Sequence, residues 1–234
     1  MVVKKRIALG PEFDGLVDDT EESVLGSSAH QDAIVDTYVS LQLYRQKYNL
    51  PWFVGNQTKL TIPRAVGPSY QPSPDILVHS TLGEGNWASL SVARYGPPTL
   101  AIEVLSPTTA LSNDLNERGK VASYAESGIA EYLAFDLFGE FIPDQVRAWR
   151  LGPSGAYVPW APDERGHWAS SLGIAFAPQG AKLRVYDAAG VVVPGYAMQA
   201  QQLLAAVQRE ADQERENAAL RAEVRRLRGG SDER

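Results

Sequence analysis

Glu103 stands inside Leu100-Ala101-Ile102-Glu103-Val104-Leu105, a run that is otherwise apolar. Drawing a carboxylate out of water there costs on the order of several kcal/mol unless a partner offsets it. Groups kept at such a cost are ligands, catalysts or members of an ion pair, and a structural salt bridge is the plain alternative. Asp75 follows Pro74 at the head of a second apolar run, Ile76-Leu77-Val78. Alone, an Asp after Pro is a turn or cap residue. Beside Glu103 on a neighbouring strand, it would complete a pair that holds one divalent cation, whose charge offsets the mutual repulsion. Lys120 is the third group. It precedes Tyr124 by one helical turn, so the two share a face. An ammonium beside a metal would stabilise charge developing on a phosphate or position an attacking water. An exposed lysine on an amphipathic helix is the alternative.

Other chemistries find little support. The chain has no cysteine, which removes disulfides, thiolate zinc sites and cysteine nucleophiles together. A metal would need carboxylates, carbonyls or the three histidines, a donor set that suits magnesium or manganese. There is no Gly-x-Ser-x-Gly elbow, no phosphate loop ending in Lys-Ser/Thr and no two-histidine zinc spacing. His79 follows Asp75 by four residues and shares its face of a regular strand, a supporting position at best. His167 lies in an Asp/Gly-rich loop with no chemical role implied.

The elements that position these groups follow from periodicity. Residues 1–24 read as an N-terminal arm. Gly26-Ser27-Ser28 supplies an N-cap, and apolar residues at Ile34, Val35, Tyr38, Val39 and Leu41 predict a helix to about Lys47. Strands are expected at Trp52–Gly55, Lys59–Ile62, Pro74–Val78 and Thr99–Leu105, with a loop over 80–98. Ser106-Pro107 ends the Glu103 strand, whose unbroken apolar character predicts cover on both faces. A helix over Asp114–Ser127, stopped by Gly128, and a strand over Glu131–Asp136 then make a crossover unit. Gln145–Leu151, Ala156–Trp160 and Lys182–Tyr186 complete an α/β domain over 25–193.

The tail differs in composition. Residues 196–230 predict a long C-terminal helix. Leu203, Glu210, Asn217 and Val224 at position a place Ala206, Gln213, Leu220 and Leu227 at d, with Glu216–Arg221 and Glu223–Arg228 as flanking pairs. This suits a parallel coiled coil and a homodimer, against a solvated helix packed on its own domain. Residues 206–234 carry seven basic and seven acidic groups, so the net charge of −6 belongs to the domain. That acidity counts against tight sequence-independent DNA binding. No apolar run approaches the length of a membrane span, and the basic start lacks a signal-like apolar stretch, so the expectation is a cytoplasmic protein with no membrane partner.

Pro74-Asp75, Glu103-Val104-Leu105-Ser106-Pro107-Thr108, Lys120 with Tyr124, Gly128 and Glu131-Tyr132 together resemble the PD-(D/E)XK nuclease superfamily. More narrowly, they are similar to the bacterial "putative restriction endonuclease" family, in which Glu-Val-Leu-Ser-Pro-x-Thr, Lys-x-x-x-Tyr and Gly-x-x-Glu-Tyr recur. Gly26–Gln31 and Leu183–Asp187 also match, so the resemblance covers about residues 20–190. It implies a restriction-endonuclease-like mixed sheet flanked by helices. It further implies Asp75 and Glu103 as ligands of Mg2+ or Mn2+, joined by the Val104 carbonyl, and hydrolysis of DNA phosphodiester bonds. The superfamily's usual lysine would stand at Leu105; in this family it looks to have moved to the next helix, which makes Lys120 its equivalent. Relatives place a lysine four residues after an Asp-Leu pair, where Arg118 follows Asp114. Lys120 is preferred because a guanidinium does not readily transfer protons, leaving Arg118 to hold a phosphate. Glu22, Asp32 and His30 are the candidates for a first-helix site residue. The rival expectation is a catalytically silent nuclease-fold scaffold that oligomerises through its C-terminal helix.

Overall fold

A computed structural model describes residues 21–64, 67–107 and 109–229, with side chains described from 28 to 226 within those ranges. The central six-stranded sheet contains β1 (Phe53–Asn56), β3 (Ile76–His79), β5 (Leu100–Val104), β6 (Glu131–Phe135), β7 (Val146–Leu151) and β8 (Tyr157–Pro159) in the order β1-β3-β5-β6-β7-β8. Only β5 and β6 run parallel; the other neighbours are antiparallel. All five residues of both β5 and β6 are buried, as their apolar sequences require of strands covered on two faces.

Alternation along these strands sorts the core into two layers. Ile76, Val78, Leu100, Ile102, Leu133 and Phe135 face helix α1 (Glu21–Lys47) and a small antiparallel sheet of β9 (Trp168–Ala169), β10 (Ala175–Pro178) and β11 (Leu183–Tyr186). Leu77, Ala101, Tyr132 and Ala134 face helix α3 (Lys120–Glu126). Glu103 shares the parity of Ala101, so it points toward α3. The Ile76–Ile102 register puts Asp75 opposite Glu103 on the same side.

Several expectations change. The first helix starts at Glu21 and runs through Gly26-Ser27-Ser28, so those serines do not cap it. The predicted 80–98 loop contains strand β4 (Ser89–Ser91), which pairs in parallel with β2 (Lys59–Thr61), and the single-turn helix α2 (Val92–Tyr95). Strands β9 and β10 have no counterpart in the sequence reading. Most consequential, the expected helix over Asp114–Ser127 is broken into a π turn at Ala110–Asp114, a tight turn, and α3. Asn116 drives the break: its side chain bonds the Ser112 carbonyl and the Arg118 N–H, competing with helical bonding. Gly119 is needed where the turn closes, because a Cβ there would lie 2.4 Å from the Asn113 carbonyl oxygen. Gly128, at φ 82°, ends α3 as expected. The residues of the 1–24 arm up to 20 lie outside those described.

Buried acids outside the α3 layer lock elements together. Asp136 accepts four backbone N–H groups of the following loop, from Phe138, Gly139, Phe141 and Ile142. Glu131 bonds the Ser170 hydroxyl, the Ser171 N–H and Arg150, tying β6 to the turn before β10. Asp36 on α1 receives Arg184 of β11 at 2.9 Å and the Ala197 N–H at 3.1 Å. That N–H belongs to the first turn of α4 (Tyr196–Gly229). Beyond this anchor α4 is solvent-exposed for nearly its whole length, about 50 Å at 1.5 Å per residue. Among the described residues, no helix is long and apolar enough to cross a membrane.

Asp36→Ala removes a buried carboxylate from the partly buried Arg184 and from the Ala197 N–H, and should lower stability by about 2 kcal/mol. Urea unfolding checks this; a loss within about 0.5 kcal/mol would mean that Asp36 does not anchor α4.

Candidate active site

The end of β5 is where the chemistry gathers. The ammonium of Lys120 lies 2.9 Å from Glu103 Oε1 and 2.7 Å from Asp114 Oδ1. The Tyr124 hydroxyl donates to the same Glu103 oxygen at 2.7 Å. Asp114 is fixed from behind: the Thr109 hydroxyl donates to its Oδ2 at 2.6 Å, and Tyr132 donates to its main-chain carbonyl at 2.8 Å. On the β3 side, Asp75 Oδ2 accepts the Val104 N–H at 2.9 Å. Helix α1 adds His30, whose Nε2 lies 2.8 Å from the Val104 carbonyl oxygen and 4.0 Å from Asp75 Oδ2.

The break before α3 makes this cluster possible. On an unbroken helix, residues six apart are rotated by about 240° and could not meet. The π turn and the Asn116 turn instead carry Asp114 back across Lys120. Asp114 is only 2% exposed and Glu103 3%, so both carboxylates depend on their partners rather than on water.

Electrostatics follow from this packing. Burial pushes the Glu103 carboxyl up to about 7, opposed by Lys120 and assisted by Asp75. Burial likewise raises Asp75, against the Val104 N–H, His30 and Lys120, with a further push from Asp114. For Lys120, burial pulls downward, but the carboxylates of Glu103 and Asp114 outweigh it and hold the ammonium above the ordinary lysine range. Lys120 therefore remains charged at neutral pH. It can supply fixed positive charge but not accept a proton. Tyr124 is held well above the usual phenol range, first by burial and then by Glu103.

Two carboxyl groups thus clamp one ammonium, and a third, Asp75, lies opposite Glu103 in register. The mutually repelling pair of partly buried Asp75 and fully buried Glu103 would suit a hard divalent cation, which would relieve what Lys120 alone does not. Among the described residues, no group of three or more His, Asp and Glu side chains is arranged to hold a metal. The donor set on offer is two carboxylates with the Val104 carbonyl, which His30 already addresses.

Of the residues singled out in the sequence, Asp75, Glu103, Val104, Lys120, Tyr124 and His30 come together. Arg118 does not: it is exposed on the turn before α3. Asp32 is exposed on α1, and the side chain of Glu22 lies outside those described. His79 is buried and bonds the Tyr95 carbonyl, while His167 stacks on Tyr186. Asp114 and Thr109 were missed as members. The Asp-Leu pair was the available signal for Asp114, but a continuous helix from Asp114 would turn it away from Lys120.

A family model described as "Uma2: Putative restriction endonuclease" matches residues 18–177, well over half of the chain. A solved structure from Anabaena variabilis, "a putative nuclease belonging to DUF820", is similar at 18% sequence identity with a TM-score of 0.39. The similarity covers 56% of this chain and 66% of that one. No curated protein matches the chain.

The folded chain holds a proton on Glu103 up to about pH 7, whereas the unfolded chain releases it near the ordinary carboxylate value. Between those pH values the native state binds more protons, so this group's contribution to stability is lost as pH rises through the window. Glu103→Gln, which does not titrate, should therefore gain stability relative to the natural chain from about pH 5 to pH 7 and level off above. Urea unfolding across that range tests it; a flat difference would contradict the raised carboxyl.

Proposed function

The chain belongs to the Uma2 family, described as "Putative restriction endonuclease", and on that premise we propose that it is a cytoplasmic, metal-dependent endonuclease that hydrolyses DNA phosphodiester bonds. The observation that carries the reading is the meeting of Asp75 and Glu103, from separate strands, beside the Lys120 ammonium.

Asp75, Glu103 and the Val104 carbonyl would hold Mg2+ or Mn2+. Such a cation, when bound, activates water and offsets charge on the phosphoryl oxygens. Lys120 favours the ionised form of Glu103 against the burial that holds its proton, and presents positive potential toward a phosphate. Tyr124 fixes the rotamer of Glu103 through its 2.7 Å hydrogen bond, and His30 orients the Val104 carbonyl. Asp114, with no solvent to rely on, sets where the ammonium of Lys120 sits.

A second reading, a nuclease-fold scaffold without catalysis, draws support from the double clamp on Lys120 and from the net charge of −6. In either reading we propose that α4 forms a homodimeric coiled coil, since Leu203, Val207, Leu220 and Val224 are all about half exposed or more.

Cleavage of duplex and single-stranded DNA should appear with MgCl2 or MnCl2 and vanish with chelator. Asp75→Ala and Glu103→Ala should abolish it, and Lys120→Met should slow it by about 100-fold or more. Circular dichroism confirms that each variant is folded; a folded Glu103→Ala chain that still cuts would remove the assignment. Removing residues 199–234 should convert a dimer into a monomer by light scattering. Loss of the dimer with no cleavage by either chain would favour the scaffold.

A further inference from the structure

Several basic side chains on the α1 side of the central sheet are held by acids. Asp36 takes Arg184 at 2.9 Å and Lys182 at 3.7 Å, and Glu131 takes Arg150 at 3.4 Å. Arg45 of α1 itself meets Glu84 at 2.9 Å. Two arginines on the α3 side differ. Arg64 and Arg147 are both exposed, and among the described residues neither is paired with a carboxylate.

Position ties both to the carboxylates. Glu103 pairs with Ala134 on β6, and Ala134 pairs with Arg147 on β7, so the three form one cross-strand row. Paired residues point to one face of a sheet, as the stacked rings of the next pair along, Tyr132 and Trp149, illustrate. Arg147 therefore emerges on the α3 face two strands from Glu103, about 10 Å away. Arg64 comes from the other side, beyond β2, which follows edge strand β1. Its guanidinium lies 4.9 Å from the centre of the Tyr70 ring. Tyr70 is fastened to Ile62 by two backbone hydrogen bonds of 2.9 Å and packs on the α3-side core. Its hydroxyl is near enough to the cluster for Lys120, Glu103 and Asp114 all to bear on its proton. An arginine steadied by an aromatic face keeps its N–H donors for an acceptor elsewhere.

Two free guanidiniums flanking a carboxylate site match a chain of phosphates that crosses it. A guanidinium grips a phosphate through two parallel N–H bonds. Phosphates recur about every 3.4 Å of axis along one DNA strand, so a group about 10 Å from Glu103 meets a phosphate a few nucleotides away. Acids elsewhere on the domain oppose this little, because charges beyond about 8 Å are screened at physiological salt. We propose that Arg64 and Arg147 hold the phosphodiester backbone of DNA on either side of the bond that lies at Asp75 and Glu103. The inference rests on the nuclease reading for its substrate, but its test reads binding and not cleavage.

Fluorescence anisotropy of a labelled DNA duplex with the full chain in EDTA, between about 50 and 200 mM KCl, measures this contact. Arg64→Ala and Arg147→Ala should each weaken binding about threefold to tenfold. Together they should reduce the slope of log affinity against log salt by about two. Arg147→Lys should recover only part of the loss, since the charge survives without the fork. Lys47→Ala removes the same charge from the exposed end of α1 and should leave the affinity unchanged. No binding by the natural chain at the lowest salt, affinity unchanged in both arginine variants, or an equal loss in Lys47→Ala would each overturn the proposal. Arginine-dependent binding with no cleavage in MgCl2 would sink the nuclease and spare the phosphate contacts; cleavage with binding unchanged in both arginine variants would do the reverse.

Discussion

A buried ammonium held between two buried carboxylates is the constraint around which the α3 side of this protein is organised. Lys120 cannot leave Glu103 and Asp114 without stranding charges that are almost wholly removed from water. The chain pays for that contact with a broken helix, a π turn and a glycine pressed against a carbonyl. Tyr124 and Tyr132 extend the same lock, one bonding Glu103 and the other the Asp114 backbone, with their rings edge to face at 5.1 Å. The result is an acidic cluster in which the Lys120 ammonium is outnumbered by the carboxyl groups of Asp75, Glu103 and Asp114.

The other buried acids work differently, and the contrast is instructive. Asp136, Glu131 and Asp36 are as hidden as Glu103, yet each meets N–H groups, a hydroxyl or arginine from an adjoining loop or helix. They close loops and dock elements. Burial alone therefore does not mark a carboxylate as chemical. What separates Glu103 is its company, with Asp75 opposite it in register and Lys120 beside it. Glu131 illustrates the point: it belongs to the same family-like motif, but lies at the far end of β6 and serves the fold.

The amino-acid sequence by itself determined the central strands and their burial. The apolar run around Glu103, the proline before Asp75 and the Gly128 stop act through local sterics and period-two alternation, which need no distant partner. The spacing of Lys120 and Tyr124 likewise put both on one helical face. Tertiary structure alone decided where α1 begins, that residues 89–91 pair with β2, and that β9 and β10 exist, because short strands are set by the surface that receives them. It also decided that Asp114 faces Lys120, since a side chain of Asn116 outcompeted helical bonding at the one place where periodicity favoured a continuous helix. The convergence of Asp75, Glu103 and His30 belongs to this second kind. Their separations in the chain carry no distance information until sheet register and helix packing fold them onto one point.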